Sequence, residues 1–360
     1  MIKAAFISRA TLFSSPGGDT RQLEQTALHL KKLGVEIDIY LSDQSIDYSR
    51  YDLLHFFNII RPADIIKHIK LSKKPYVVST IFVEYGTVKD DKPGLSGIIK
   101  KMLSDNALEY VKVVARAIKN GEKIISKEYL FWGHKRSVQF VAKHADCLLP
   151  NSESEYRRFV SKYKVGQKHI VIPNGIEEEL VKRSYPEDEV YKDAILCMGR
   201  IEIRKNQLNL IRALNNTKYK LFIHGKASPN NIGYYEQCRK EAAPNIYIKD
   251  WLEETELYTA YTNAKVHVLP SYFETTGLSS LEAAVMGCNI VITDRGDTRD
   301  YFGDHAWYCD PDDPQSIKAA VDAAFDAPYD VNFKDYILKH YTWEQAAIET
   351  LKAYKQVLKD

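Results

Sequence analysis

Two successive series of short β-branched or apolar runs, separated by amphipathic stretches, leave this chain few folds to choose from. "AAFIS", "VEIDIYL", "DLLHFF", "PYVVST", "ADCLLP" and "HIVIP" read as strands in the first half. "AILCMG", "YKLFIH", "IYIKD", "VHVLP", "NIVIT" and "AWYCD" repeat the reading in the second. Helical runs fall between many of them: Thr20 to Leu33 carries Leu23, Ala27 and Leu30 at helical spacing and stops at Gly34. Such alternation predicts parallel sheets covered on both faces, an α/β architecture of two doubly wound, Rossmann-like domains. The 360 residues are enough for both. Pro173, Asn174 and Gly175 punctuate the pattern, and the polar "VKRSYPEDEVYKD" follows, so a linker is expected at about 174–192. The domains are therefore read as 1–175 and 176–342.

Composition excludes several classes. With 45% hydrophobic and 27% charged residues, the chain is neither disordered nor fibrous. It has no apolar run of about 18 residues, and "MIKAAFIS" lacks the features of a signal peptide, so a cytoplasmic protein is expected. Its five cysteines, Cys147, Cys197, Cys238, Cys288 and Cys309, are widely spaced with no C-x-x-C pair, which suggests neither a disulfide framework nor a zinc knot. A net charge of +2 gives no argument for nucleic acid. No G-x-G-x-x-G follows the first strand, which disfavours a nicotinamide-dependent dehydrogenase.

Doubly wound sheets bind ligands outside the carboxyl ends of their strands, often with phosphate at a helix N-terminus. Three stretches suit that position. In "SSPGGDT", Gly17 and Gly18 open the first helix, where they would let a phosphate approach the backbone or simply make a tight turn. In "GRIEIRKNQ", Arg200 and Lys205 follow the first strand of the second half and can both reach a diphosphate. In "FETTGLSS", Thr275 to Ser279 supply the free N–H groups of the helix start before "LEAAVMG".

These residues carry a resemblance. Glu274-x7-Glu282 within "LPSYFETTGLSSLEAAVMGCNIVIT", "GRIEIRKNQ" upstream, "VIPNGI" at the domain junction and "YTWEQAAIETLKAY" near the end resemble glycosyltransferase family 4, over roughly residues 168–350. The resemblance implies a retaining, nucleotide-sugar-dependent enzyme of the GT-B fold. Its first domain would be acceptor-side, its second would bind the nucleotide sugar, and a C-terminal helix within 343–360 would cross back to the first. It assigns Glu282 to the ribose hydroxyls, Glu274 to the donor sugar, and the backbone of Thr275, Thr276, Gly277 and Leu278 to the diphosphate. Arg200 and Lys205 would stabilise the departing nucleoside diphosphate, and Gly17 and Gly18 would face it from the first domain. The implied donor is a UDP-sugar or GDP-sugar, with no other cofactor. The implied acceptor is a glycan or lipid-linked hydroxyl, in surface polysaccharide, lipopolysaccharide or glycolipid assembly. Two cations and a helix start can take the place of a metal, and no D-x-D pair stands in a loop suited to one.

One departure stands out. Many family members carry a histidine that contacts the donor sugar after the fourth strand of the first domain. Here "VVSTIFVEYG" has Phe82 at that place, read as wall. Glu84, Tyr85 and His55 are the acceptor-side candidates, His55 being read as either a core or a cleft residue. Residues 92–136 hold ten basic residues against four acidic, with apolar residues at helical spacing and aromatics in "YLFWGHKR". That stretch is either a peripheral contact with an anionic membrane or a helix pair with solvated charges. A GT-B nucleotide-sugar epimerase and a noncatalytic nucleotide-sugar sensor are the alternative functions.

Overall fold

The computed structural model describes residues 1–83, 106–108, 110, 111, 113 and 126–359. Glu84, Tyr85 and most of the basic stretch 92–136 lie outside the described residues. The chain forms two compact units that divide at Asn174/Gly175 and again at Thr342/Trp343.

The first unit contains β1 (Lys3–Ser8), α1 (Gly18–Lys32), β2 (Glu36–Leu41), β3 (Leu53–Phe57), α2 (Pro62–Ser72), β4 (Tyr76–Ser79), α3 (Lys127–His144), β5 (Cys147–Leu149) and α4 (Glu153–Tyr163). Its sheet is parallel, in the order β2-β1-β3-β4-β5. Ala5, Ile7, Leu54, Phe56, Tyr76, Val78 and Leu148 share one core layer, which Val138, Val141 and Phe159 complete from α3 and α4. The "HIVIP" run does not become a sixth strand. His169 makes one isolated parallel bridge to Leu148, and Ile170 donates to the Leu148 carbonyl. Ile172 donates in turn to the Pro150 carbonyl at 2.8 Å, just past the end of β5.

The second unit contains β6 (Ile195–Met198), α5 (Gln207–Leu214), β7 (Leu221–His224), α6 (Ile232–Glu241), β8 (Ile246–Lys249), α7 (Glu254–Asn263), β9 (Val266–Leu269), α8 (Leu278–Met286), β10 (Asn289–Thr293), β11 (Trp307–Cys309), α9 (Pro314–Asp326) and α10 (Val331–His340). All six expected strands form one parallel sheet, β11-β10-β9-β6-β7-β8. Its faces separate by strand alternation. Leu196, Met198, Phe222, Ile290 and Ile292 enter one core, and Ile195, Cys197, Leu221, Ile223 and Val291 the other. Burying each large aliphatic chain stabilises the unit by about 1.5–3 kcal/mol relative to exposure, so neither face tolerates charge.

The last helix, α11 (Trp343–Val357), returns to the first unit and packs along α1. Its buried stripe is Trp343, Ala346, Ala347, Thr350, Ala353, Tyr354 and Val357, a 3.6-residue period. Leu358 is 37% exposed, because it falls one position beyond that stripe.

Candidate active site

The loop after β6 and the loop after β9 are stitched together by buried polar contacts. Asn206, in left-handed backbone, sends its side-chain amide to the carbonyls of Pro270 and Pro311 at 3.0 and 2.7 Å. Tyr272 donates its amide to the Arg204 carbonyl at 2.9 Å, and Arg204 Nη1 returns a hydrogen bond to the Phe273 carbonyl at 3.1 Å. These contacts place Lys205 Nζ 2.6 Å from Glu274 Oε2. Ser271 Oγ donates to the same carboxylate oxygen at 3.1 Å, and Arg204 Nη1 lies 3.7 Å away.

Both members of the pair are largely shielded, with side chains 14% and 8% exposed. Burial opposes the charge of Glu274, but Lys205, Arg204 and the two hydrogen bonds together outweigh it and hold the carboxyl below its ordinary range. For Lys205 burial is the larger influence, and its ammonium loses protons more readily than an ordinary lysine. One donor of the ammonium serves Glu274.

The Glu274 backbone is clamped as well. Its amide donates to the Arg295 carbonyl at 3.0 Å, and its carbonyl accepts from Asp297 at 2.9 Å. Gly296, between those partners, has φ +110°, and a Cβ there would stand 1.9 Å from the Glu274 carbonyl oxygen. Glycine is required by both the angle and the contact. Gly296→Ala is therefore expected to displace the Glu274 loop, costing about 1–3 kcal/mol of stability by strain. It should also reduce nucleotide-dependent turnover more than about tenfold by mispositioning the carboxylate. Urea melts and turnover on one preparation check this; wild-type values in both would contradict the clamp.

After Glu274 the chain passes Thr275 and Thr276, turns at Gly277 with φ +70°, and enters α8. Thr276 donates its hydroxyl to Tyr301 at 3.3 Å. Leu278 is the first helical residue, so the opening amides of α8 carry the positive end of the helix dipole. Glu282 lies in the second turn, half-buried, near enough to the buried Tyr261 phenol to add to the rise in its pKa that burial causes. Arg200 stands apart from the pair: its side chain is 46% exposed, with Nε 4.0 Å from Glu202 Oε2. Among the described residues, no three His, Cys, Asp or Glu side chains gather as a metal site would require.

The other expected residues lie in the first unit. Gly17 precedes α1 and Gly18 is its first residue. Asp19 already sets a carboxylate at that helix start, where it accepts from Arg9 Nε and Nη2 at 2.7 and 3.0 Å. His55 is a core residue and not an acceptor-side one. It is 1% exposed, contacts Tyr354 Oη through Nδ1 at 2.7 Å and Ser79 Oγ through Nε2 at 2.9 Å, and is depressed by burial to about 3. Phe82 is buried edge-on against Phe159 and Tyr163, as expected of wall. Sequence reasoning missed Arg204, Ser271 and Gly296. Only Arg204 left a signal, standing beside Lys205 in the same short segment.

Residues 177–339 match the family described as glycosyl transferases group 1. That stretch of the chain belongs to the family. The group 1 region covers the Lys205–Glu274 pair, the start of α8 and Glu282. An O-antigen chain mannosyltransferase B of Escherichia coli is 24% identical over 44% of this chain and 45% of its own. The chain spans about half the length of the curated relatives it matches. Two solved structures share the fold over nearly the full length. Sucrose-phosphate synthase of Thermosynechococcus elongatus has a TM-score of 0.73 at 16% identity, covering 100% of both chains. Anabaena HepE, in complex with UDP, has a TM-score of 0.69 at 12% identity, covering 99% of this chain and 100% of its own. The group 1 region is thus set in a GT-B fold.

Proposed function

We propose that the chain is a retaining glycosyltransferase that moves a hexosyl or related sugar from a nucleotide donor to a hydroxyl of a glycan or lipid-linked acceptor, without a metal. The observation that carries the reading is the Lys205–Glu274 pair, 2.6 Å apart and fixed beside the α8 start inside the group 1 region. Glu282 takes the ribose hydroxyls, Glu274 the donor sugar, and the backbone from Thr275 to Leu278 the diphosphate. Lys205 and Arg200 add positive charge as the leaving group forms, where preorganised donors act most strongly. The bond from the anomeric carbon to the diphosphate oxygen breaks, the bond to the acceptor oxygen forms on the same face, and the acceptor proton passes to the departing phosphate oxygen. Gly17 and Gly18 are the first unit's phosphate-facing candidates, within an acceptor-side domain of residues 1–175.

A UDP-sugar donor is favoured by the UDP bound to HepE, and a glycan product by the O-antigen relative. Assembly of surface polysaccharide, lipopolysaccharide or glycolipid is the process this reading proposes, supported by the O-antigen relative, and the cytoplasm is its proposed place. Peripheral membrane contact through residues 92–136 has support from exposed Phe131 and Leu130 near exposed Lys127, Lys135 and Arg136. Among the described residues no helix is long and apolar enough to cross a membrane.

Incubation with a panel of UDP- and GDP-sugars should release nucleoside diphosphate from at least one, slowly with water alone and faster with a glycan acceptor. A new sugar isomer without nucleotide release would instead identify an epimerase. Binding without turnover across the panel would identify a sensor.

A further inference from the structure

Glu155 is a fully buried carboxylate, 0% exposed, in the first turn of α4, and it does not close the capping arrangement that its position offers. Ser152 Oγ accepts from the Glu155 amide at 2.9 Å, as an N-cap should. The Glu155 side chain turns instead toward the carboxyl ends of β4 and β5. Its Oε1 accepts from the Thr80 hydroxyl and from the Phe82 amide at 2.8 Å, and its Oε2 accepts from the Asn151 amide at 2.9 Å. Burial pushes the Glu155 carboxyl up, against the opposing pull of those three donors and of Arg158.

Between the two residues that share Oε1 stands Ile81, with φ +44°. A β-branched side chain in left-handed backbone is costly and persists only where its surroundings over-determine it. They do so here. Thr80 donates its amide to the Leu149 carbonyl at 3.3 Å, and the Thr80 carbonyl accepts from Ile59 at 3.0 Å. Asn151 is tied in turn to α1 by a reciprocal amide pair with Gln22, at 2.8 and 3.2 Å. One carboxylate thus fixes the ends of β4 and β5, at the edge of the sheet where doubly wound folds meet ligands.

We propose that Glu155 is a positioning residue that holds the Thr80–Phe82 turn, with Ile81 strained, as a substrate-facing contact of the first unit. The inference rests on the glycosyltransferase reading for what the turn meets, and on the contacts above for how it is held. Glutamine at 155 has one acceptor oxygen for three converging donors, so it sets an amide N–H against a backbone N–H. The turn is then free to relax toward ordinary backbone.

The test uses the full chain as wild type, Glu155→Gln, Thr80→Val, Ile81→Gly and the double variant Glu155→Gln/Ile81→Gly. The probes are UDP in calorimetry and, in steady-state turnover, the panel sugar that the wild type consumes. Glu155→Gln should lower kcat about tenfold or more with UDP affinity unchanged, because the turn acts by orientation. Thr80→Val, which removes one donor and keeps the side-chain shape, should move kcat the same way by less, so the inference survives if Glu155→Gln fails to fold. In the Ile81→Gly background, where left-handed backbone needs no force, the Glu155→Gln effect should shrink several-fold. A merely structural role would lower the melting temperature and leave kcat per folded molecule unchanged in both Glu155→Gln and Thr80→Val, and that result overturns the inference. So does an equal Glu155→Gln effect in both backgrounds. A wild type that neither binds UDP nor consumes any panel sugar overturns the underlying reading, and this inference with it.

Discussion

Lys205→Ala will lower nucleotide-sugar turnover by about 10²–10³-fold, the usual effect of removing one preorganised donor from a developing anion. The same change will destabilise the second unit by about 3 kcal/mol, the low end for breaking a buried ion pair. Glu274, with a side chain only 8% exposed, would keep Ser271 Oγ at 3.1 Å and Arg204 Nη1 at 3.7 Å but lose its 2.6 Å partner. Arg204 is what limits the loss. The pH dependence follows from the direction of the Glu274 shift. Because its folded carboxyl lies below the ordinary carboxylate range, its contribution is complete above that range and is lost as pH falls through the folded value. In Lys205→Ala burial is opposed by Arg204 and Ser271 alone, so that contribution should shrink and the acid-side loss of stability should become smaller than in the wild type. Urea unfolding at neutral and acidic pH, with turnover on the same preparations, measures all three effects. A variant within about 0.5 kcal/mol of wild type, the scatter of surface substitutions, would show that the pair is not the anchor argued here.

Continuous apolar runs are legible because a strand covered on both faces has no position for charge, as in the fully buried β6, β7, β9 and β10. All six expected strands of the second half are present, including the more exposed β8 and β11. "HIVIP" has the same composition but ends in proline beside the boundary between the units, and pairing there is confined to one bridge. In α11 the buried Trp343, Ala346, Ala347, Thr350, Ala353, Tyr354 and Val357 follow helical spacing, while Leu358, past the end of the helix, is exposed. The site divides along similar lines. Lys205 and Glu274 are 69 positions apart, and residue type and motif drew attention to each, but their direct pairing depends on how the loops after β6 and β9 are stitched. Gly296 is invisible to pattern, because its requirement comes from the Glu274 carbonyl folded against it. Of the two readings of His55 the core one holds: it stands in the middle of β3, and its ring meets Tyr354 of α11 in the core. Glu155 drew no attention in the sequence, since its role depends on partners at Thr80, Phe82 and Asn151 that only the fold brings together.

The two glutamates should separate binding from turnover. Glu282 lies in the second turn of α8, and in its proposed role as ribose acceptor it would contribute charged hydrogen bonds to free UDP and donor alike. Glu282→Ala should then weaken UDP by about 1.5–3 kcal/mol, or about 10–150-fold in Kd. Glu274 is held by Lys205 and Ser271, and on the proposed assignment it meets the donor sugar, where its contact matters as charge develops at the anomeric carbon. Glu274→Ala should therefore keep UDP affinity while turnover falls, the mark of an interaction made in the transition state. Calorimetric titration of UDP into the two variants tests this assignment most directly. The expected Kd is near that of wild type for Glu274→Ala and at least about tenfold weaker for Glu282→Ala. Loss of UDP binding in Glu274→Ala, with Glu282→Ala unaffected, would contradict it.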